Sequence, residues 1–128
     1  MATAEFPIEK CVLVVEDEPL IRMLAKEIVE DAGYVAIEAA NADEAVSILE
    51  NRDDIWVVFA DIDMPGTLDG MGLANSIRNR WPPIEIIVTS GQMRFQIAEL
   101  PARTVFIPKP YQFSKVAQTL KDFSRPPH

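Results

Sequence analysis

Cys11-Val-Leu-Val-Val15-Glu16-Asp17-Glu18 and Ile55-Trp-Val-Val-Phe-Ala-Asp61-Ile-Asp63 are the two stretches of sequence that decide the fold class. Each is a short, continuous apolar run rich in β-branched residues that ends abruptly in carboxylates. A continuous rather than alternating apolar run is typical of a strand covered on both faces, as in a parallel sheet. Ile84–Val88 is nearly continuous, whereas Tyr34–Glu38 and Thr104–Ile107 are shorter or more mixed and are predicted as edge strands.

Apolar residues at helical spacing fill the intervals between these strands. A first helix is predicted behind Pro19 and is stopped by Gly33, because these residue types suit the first helical position and the position after the last turn. Asn41 and Glu44 resemble a capping box at the start of a second helix. Apolar residues at helical spacing also predict helices from Leu73 to Trp81, from Phe113 to Leu120 and, most weakly, from Gln92 to Leu100. Five βα units in series predict an α/β fold with helices on both faces of a parallel sheet.

The composition indicates one folded, acidic domain. The chain has 128 residues, 48% of them hydrophobic, and its 12 Lys+Arg against 20 Asp+Glu give a net charge of −8. An acidic surface repels nucleic acid and anionic membranes, so we expect neither as a partner. A single cysteine, with no signal peptide and no apolar run of membrane-spanning length, favours a cytoplasmic protein. We expect a folded domain over residues 10–123, a flexible segment over residues 1–9 and a tail over residues 124–128.

Polar residues stand at the carboxyl ends of the predicted strands, which is where ligands bind in open parallel sheets. They are the carboxylates Glu16, Asp17, Asp61 and Asp63, the hydroxyl of Thr89 and the ammonium of Lys109. Taken singly, each has an ordinary structural explanation, since acidic residues cap helices and aspartates form turns. Clustered carboxylates repel one another unless a cation neutralises them. Their convergence on one edge of the sheet therefore indicates a functional site.

The chemistry that suits this set is the acceptance of a phosphoryl group. Asp17 and Asp61, with a backbone carbonyl, offer the hard oxygen ligands that Mg²⁺ takes. An aspartate can act as a nucleophile and become an aspartyl-phosphate. Phosphoryl transfer needs mainly positioning and charge neutralisation, which Mg²⁺ and Lys109 would supply, and Thr89 would hydrogen-bond a phosphoryl oxygen.

In order and spacing these motifs resemble the receiver domains of bacterial two-component response regulators, in particular single-domain receivers of the chemotaxis-regulator kind, over residues 10–123. The matching stretches are Val12-Leu-Val-Val-Glu16-Asp17-Glu18-Pro19, Asp61-Ile-Asp63-Met64-Pro65-Gly66 followed by Asp69-Gly70, Ile87-Val88-Thr89-Ser90, and Ile107-Pro108-Lys109-Pro110. The resemblance implies a flavodoxin-like (βα)5 fold, doubly wound around a five-stranded parallel sheet with strand order 2-1-3-4-5.

For the acceptor and the metal, the resemblance implies particular residues. Asp61 takes a phosphoryl group from a histidine kinase or a histidine phosphotransfer protein. Mg²⁺ is the implied cofactor, held by Asp17 and Asp61, by Glu16 through water and by the backbone carbonyl of Asp63, whose side chain tunes hydrolysis. Turnover is limited to accepting the phosphoryl group and losing it by slow self-hydrolysis, so we do not expect an enzyme in the usual sense.

For signalling, the resemblance implies that Thr89 and Lys109 contact the phosphoryl group, while Thr89 and Phe106 form a switch acting on strand five and its flanking helices. It also implies a cis bond between Lys109 and Pro110. The chain departs from the family pattern in three places. The loop at 66–70 is one residue longer, Phe106 replaces the commoner Tyr, and the segment between Thr89 and Lys109 is short. Since no output domain follows, we expect the signal to leave by binding an unidentified protein or by phosphorelay.

Three other interpretations fit parts of the pattern. A phosphatase of the haloacid dehalogenase type also uses Asp-x-Asp, but its acidic metal-binding pair follows the lysine, whereas here the pair precedes Asp61 by more than forty residues. A flavin- or nucleotide-binding domain would need a phosphate cradle after strand one, where Glu16-Asp17-Glu18-Pro19 would repel phosphate. The chain also fits a receiver fragment of a hybrid histidine kinase, since receiver composition does not distinguish the two.

Overall fold

The computed structural model describes residues 10–64, 70–91 and 97–123. The segment 1–9, the tail 124–128 and the lengthened loop at 66–69 lie outside the described residues, so the expectations for them stay predictions. The elements in chain order are β1 (Cys11–Val15), α1 (Pro19–Asp31), β2 (Val35–Ala39), α2 (Ala42–Asn51), β3 (Ile55–Asp61), α3 (Gly70–Arg80), β4 (Glu85–Ser90), a 3-10 helix (Ile97–Glu99), β5 (Thr104–Pro108) and α4 (Phe113–Phe123). Among the described residues, none of these helices is long and apolar enough to cross a membrane.

The five strands form one parallel sheet in the order β2-β1-β3-β4-β5, as expected. The central strands β1, β3 and β4 are buried over most of their length because helices cover both faces of the sheet. On one face, α2 and α3 pack through Leu49, Leu73 and Ile77. On the other face, α1 and α4 pack through Val29 and Leu120. This doubly wound arrangement brings the carboxyl ends of all five strands to one edge.

The fourth βα unit differs from the expectation. A helix was expected from Gln92 to Leu100, but the described part of this segment holds only the 3-10 helix Ile97–Glu99, and residues 92–96 lie outside the described residues. A segment this short, closed by Pro101, has too few turns to be stable as a helix without extensive packing. Leu100 is half-buried against the core beneath α2 and α3. In the described part of the chain the sheet is therefore flanked by four α-helices.

Arg78, near the end of α3, fastens the chain on either side of this segment. Its guanidinium donates hydrogen bonds to the carbonyls of Ala102 at 2.8 Å, Pro82 at 2.7 Å and Ile84 at 2.8 Å. These bonds join the end of α3 to the residues that precede β4 and to those that precede β5. The planar, multi-donor guanidinium suits such a junction better than an ammonium would. It helps to fix β5, the strand that carries Lys109 to the edge of the sheet.

Local signals at the ends of the first two helices agree with their predicted positions. Pro19 stands at the first position of α1, and Gly33, just beyond its end, has φ +93°, a left-handed conformation that glycine adopts without steric cost. Asn41 Oδ1 accepts a hydrogen bond from the Glu44 amide at 2.8 Å and caps α2. These ends fix where each helix leaves or meets the sheet.

Trp56 departs from the buried pattern of β3. Cys11 pairs with Ile55 and Val12 pairs with Val57, so Trp56 is the extra residue of a β-bulge. Its side chain is 43% exposed, and the Lys10 ammonium lies 4.5 Å from the ring centroid. The bulge shifts the register near the start of β3, far from the strand end that carries Asp61.

Candidate functional site

The carboxyl ends of β1 and β3 bring three carboxylates together. Asp61 is the last residue of β3, Glu16 and Asp17 follow β1, and the two strands are parallel neighbours. Each of the three residues has a carboxylate oxygen within 4.8 Å of the others. Glu16 and Asp61 are buried, whereas Asp17 is exposed to solvent. Three hard oxygen donors, one of them open to water, fit a divalent cation such as Mg²⁺, which keeps part of its water shell.

Lys109 reaches this cluster from the end of β5. Its Nζ donates to Asp61 Oδ2 at 2.9 Å and to Glu16 Oε1 at 3.1 Å. Its backbone N–H donates to the Ser90 carbonyl at 3.0 Å, and the Lys109–Pro110 peptide bond is cis, as the resemblance implied. One ammonium does not balance three carboxylates. The cluster therefore keeps a net negative charge that favours binding of a cation.

The pKa of the Glu16 carboxyl is raised by its surroundings in the cluster. Burial raises its pKa from 4.5 to about 7; the Glu18 amide, 3.2 Å from Oε2, acts in the opposite direction, as does Lys109, while the nearby Asp61 adds to the rise. For Lys109, burial lowers the pKa, but the hydrogen bonds to Asp61 and Glu16 outweigh it and the pKa is raised overall. The ammonium therefore stays charged, while the buried Glu16 carboxylate is the group that a cation relieves.

Asp63 connects Asp61 to the end of β4. Its backbone N–H donates to Asp61 Oδ1 at 2.8 Å. Its own carboxylate accepts two hydrogen bonds, from Ser90 Oγ at 2.7 Å and from the Gly91 amide at 2.9 Å. The sequence drew attention to Asp63 but gave Ser90 and Gly91 no role, because small residues after a strand are common in turns. The geometry places both of them at the site.

Thr89 and Phe106 are packed against different faces of the sheet. Thr89 is buried, lines a narrow cavity beside Asp61 and Tyr111, and its hydroxyl has no hydrogen-bond partner among the described residues. Phe106 packs against the core beneath α2 and α3, whereas its neighbour Ile107, which pairs with Thr89, belongs to the core beneath α1 and α4. Since alternate residues of a strand face opposite sides, the Thr89 and Phe106 side chains lie on different faces of the sheet.

Gly70 allows α3 to begin directly against the strand that carries Asp61. A β-carbon at Gly70 would lie 2.5 Å from the Asp61 carbonyl oxygen and would also collide with Ile62 Cα. Glycine is the residue without that β-carbon. The sequence analysis included Gly70 in a motif that matches the family. The close approach of the two backbones explains why a glycine is needed there.

Tyr111 forms the wall between two cavities at the site. The narrow cavity contains Asp61 and Thr89, and a wider one of about 420 Å³ is lined by Ile21 and Leu24 of α1 and by Lys109. Burial raises the pKa of Tyr111 to about 12, and the nearby Glu16 and Asp61 carboxylates add to the rise while Lys109 opposes it. No feature of the sequence singled out Tyr111. Tyr111 is the residue that lines both cavities.

We expect the free energy of unfolding of the metal-free protein to fall between pH 4.5 and 7 because of Glu16. The carboxyl has a pKa of about 7 when folded and 4.5 as its reference value, so the folded state holds the proton more tightly. The stabilising contribution of the protonated Glu16 carboxyl to the folded state is complete below pH 4.5 and is lost as the pH rises through 7. The shift corresponds to about 3 kcal/mol. Urea unfolding in EDTA across this range measures it.

The variant Glu16→Gln should flatten this decrease, because its side chain does not titrate. The matched control is Glu30→Gln, which changes an exposed carboxyl on α1 and should leave the slope as in the wild type. An unchanged slope in Glu16→Gln would show that the pH dependence arises elsewhere.

Comparisons with known proteins agree with this geometry. The family model for the response regulator receiver domain matches residues 12–121. The chain is 40% identical over 121 residues to chemotaxis protein CheY of Thermotoga maritima, covering 91% of this chain and 98% of that protein. It is 36% identical over 115 residues to the sensor kinase CckA of Brucella abortus, covering 87% of this chain. The chain spans only 12% of the length of that kinase.

A solved structure shows the same fold. The response regulator protein TrrA of Thermotoga maritima, in complex with Mg²⁺-BeF, matches with a TM-score of 0.79 at 30% identity, covering 89% of this chain and 98% of that one. The sheet order, the acidic cluster and the family match all agree with a receiver domain. The chain belongs to the response regulator receiver domain family.

Proposed function

We propose that this chain is a phosphorylation switch in which Asp61 accepts the phosphoryl group. The observation that carries the proposal is the setting of Asp61 at the end of the central strand β3. One of its oxygens lies 2.9 Å from Lys109 Nζ, and the other lies 2.8 Å from the Asp63 amide. Glu16 and Asp17 stand beside it. Receiver domains are phosphoacceptors, and Asp61 is the buried aspartate that this site presents for that chemistry.

The arrangement supports a simple transfer. An Asp61 oxygen attacks phosphorus, and the bond from phosphorus to the donor's histidine nitrogen breaks, so that the imidazole leaves with the electron pair. Lys109, already bound to Asp61, neutralises charge that develops on the phosphoryl oxygens, and the unpaired Thr89 hydroxyl donates to one of them. Asp17, Asp61 and the Asp63 carbonyl, with Glu16 through water, would hold Mg²⁺, which would supply further charge neutralisation.

Phosphorylation at Asp61 is tested by intact-protein mass. Acetyl phosphate with Mg²⁺ should add one phosphoryl group to the wild type and none to Asp61→Asn, because the amide is not a nucleophile. Asp53→Asn, an exposed carboxyl beyond α2, serves as the control and should be phosphorylated as the wild type is. Full phosphorylation of Asp61→Asn would end the assignment. Sustained hydrolysis of a phosphate ester by the wild type would favour the phosphatase alternative instead.

Magnesium binding should stabilise the fold by mass action. At ten times its dissociation constant, a ligand specific to the folded state adds about 1.4 kcal/mol, which raises the melting temperature by a few degrees. The variant Asp17→Asn should lose this Mg²⁺-dependent shift, since it removes an exposed ligand of the cluster. Asp31→Asn at the end of α1 should keep it. Thermal unfolding with and without millimolar Mg²⁺ measures all three; a normal shift in Asp17→Asn would contradict the assignment.

The switch is proposed to act through the ends of β4 and β5. A charge-assisted hydrogen bond from Thr89 to a phosphoryl oxygen contributes about 1.5–3 kcal/mol, enough for a ten- to hundredfold change in population. Because Thr89 and Phe106 face different sides of the sheet, we propose that the Thr89 backbone and the loop after it carry the change to Phe106. The surface that changes is then β5 with its flanking segments, where an unidentified protein target binds.

Beryllofluoride, a phosphoryl mimic, tests this route by NMR. We expect large shifts in the amides of β4 from Thr89 onward and in Phe106, and we expect Thr89→Ala to abolish those at Phe106 while leaving those near Asp17 in place. Shifts confined to the strand ends near Asp17 and Asp61 would mean that the signal leaves by another face.

The phosphoryl donor is proposed to be a cytoplasmic histidine kinase or histidine phosphotransfer protein that docks on α1 and the start of α4. Leu20 is 75% exposed, Met23 50% and Phe113 53%, although all three are large and apolar. Leu20 and Met23 lie on α1 next in sequence to Ile21 and Leu24, which line the wider cavity together with Lys109. An apolar surface of this kind beside the acceptor fits a protein donor. We propose that a donor bound there presents its phosphohistidine to Asp61.

Donor docking predicts a difference between protein and small-molecule donors. The double variant Leu20→Ser/Met23→Ser should slow transfer from a phosphorylated histidine phosphotransfer protein at least tenfold, because it removes apolar contact area. Phosphorylation by acetyl phosphate should stay within twofold of the wild type. The control Val35→Ser changes a side chain 37% exposed on the edge strand β2 and should leave both rates unchanged. Equal loss with both donors would argue against a docking surface.

A further inference from the structure

We propose that Ser90 is a positioning residue for phosphoryl transfer: with the Gly91 amide, it holds the Asp63 carboxylate away from the path of the phosphoryl group to Asp61. The inference rests on the proposed function of Asp61 as the acceptor. It adds a role for a hydroxyl to which the sequence assigned none.

Both oxygens of the Asp63 carboxylate are engaged. Ser90 Oγ donates to Oδ1 at 2.7 Å, and the Gly91 N–H donates to Oδ2 at 2.9 Å. Hydrogen bonds to an ionised oxygen are short and strong. The pair therefore fixes the direction of the whole carboxylate rather than only one of its oxygens.

The two donors stand on a rigid support. Ser90 is the last residue of β4, is 1% exposed, and its carbonyl accepts from the Lys109 amide at 3.0 Å. The preceding Thr89 carbonyl accepts from the Ile62 amide at 2.9 Å. The sheet thus holds the two donors in place. The exposed Asp63 side chain would turn freely without them.

The charge of Asp63 matters because of where its backbone lies. Its amide donates to Asp61 Oδ1 at 2.8 Å, so its side chain begins next to the acceptor. The acceptor already has two other carboxylates beside it, those of Glu16 and Asp17, and one ammonium, that of Lys109. A fourth negative charge turned toward the site would repel an incoming phosphoryl dianion. By holding the carboxylate against the end of β4, Ser90 and Gly91 keep the approach to Asp61 open.

The experiment is a double-mutant cycle on the rate of phosphorylation by acetyl phosphate with saturating Mg²⁺. In this reaction the Asp61 oxygen forms a bond to phosphorus while the bond from phosphorus to the acetate oxygen breaks, and acetate leaves. Ser90→Ala should lower the second-order rate constant about tenfold at low ionic strength and less at high ionic strength, because salt screens the released charge. In the Asp63→Asn background, the same Ser90→Ala change should cost less than twofold, since no charge is left to hold.

Several outcomes separate the explanations. Ser76→Ala on α3 is the control and should not change the rate; if Ser90→Ala is too unstable to assay, Ser90→Gly makes the same comparison. A loss that persists in the Asp63→Asn background, or one that salt does not reduce, would show a purely structural role and overturn the proposal. An unchanged rate in Ser90→Ala would overturn it too. Failure of the wild type itself to become phosphorylated would instead refute the proposed function.

Discussion

The ion pair that Lys109 forms with Asp61 and Glu16 is the constraint on which the rest of the site depends. Two of these three side chains are buried, and their ammonium partner comes from the opposite end of the sequence. Burying charges is costly unless they are paired and hydrogen-bonded. The parallel sheet meets this requirement by bringing the ends of β1, β3 and β5 to one edge. The pairing is incomplete, because one cation faces three carboxylates, and that imbalance favours a second cation at the site.

The position of Asp61 is set by backbone contacts on both sides of β3. On one side, α3 begins at Gly70, against the carbonyl of Asp61, at a distance that leaves no space for a β-carbon. On the other, the Asp63 amide fixes one oxygen of the Asp61 carboxylate. Arg78 then ties the end of α3 to the residues before β5. Asp61 and Lys109 are thus held by one connected set of contacts, which gives the fixed geometry that the proposed phosphoryl transfer requires.

Hydrophobic pattern and strand ends were enough to predict the sheet and to place Asp17, Asp61 and Lys109 near one another. They were sufficient because parallel strands must end at a common edge, whatever the details of packing. The bulge at Trp56 was not predictable, since a continuous run of apolar residues does not show which of them lacks a partner on the neighbouring strand. Nor was the 3-10 helix at Ile97–Glu99, where the apolar spacing suggested a helix but the segment before Pro101 is too short for a stable one.

The contacts around Thr89 show the same limit at the site itself. Sequence placed Thr89 and Phe106 near adjacent strand ends, and their register confirms that proximity, but the pleat puts their side chains on different faces. We therefore propose that the coupling between Thr89 and Phe106 runs through the backbone. The end of β4 is already bonded to the loop after β3: the Thr89 carbonyl accepts from the Ile62 amide, and the Ser90 hydroxyl and the Gly91 amide donate to the Asp63 carboxylate. Movement of Thr89 toward a phosphoryl group would therefore act both on the loop after β3, which holds Ile62 and Asp63, and on β5. We therefore propose that the segments that position Asp61 also transmit its phosphorylation to β5.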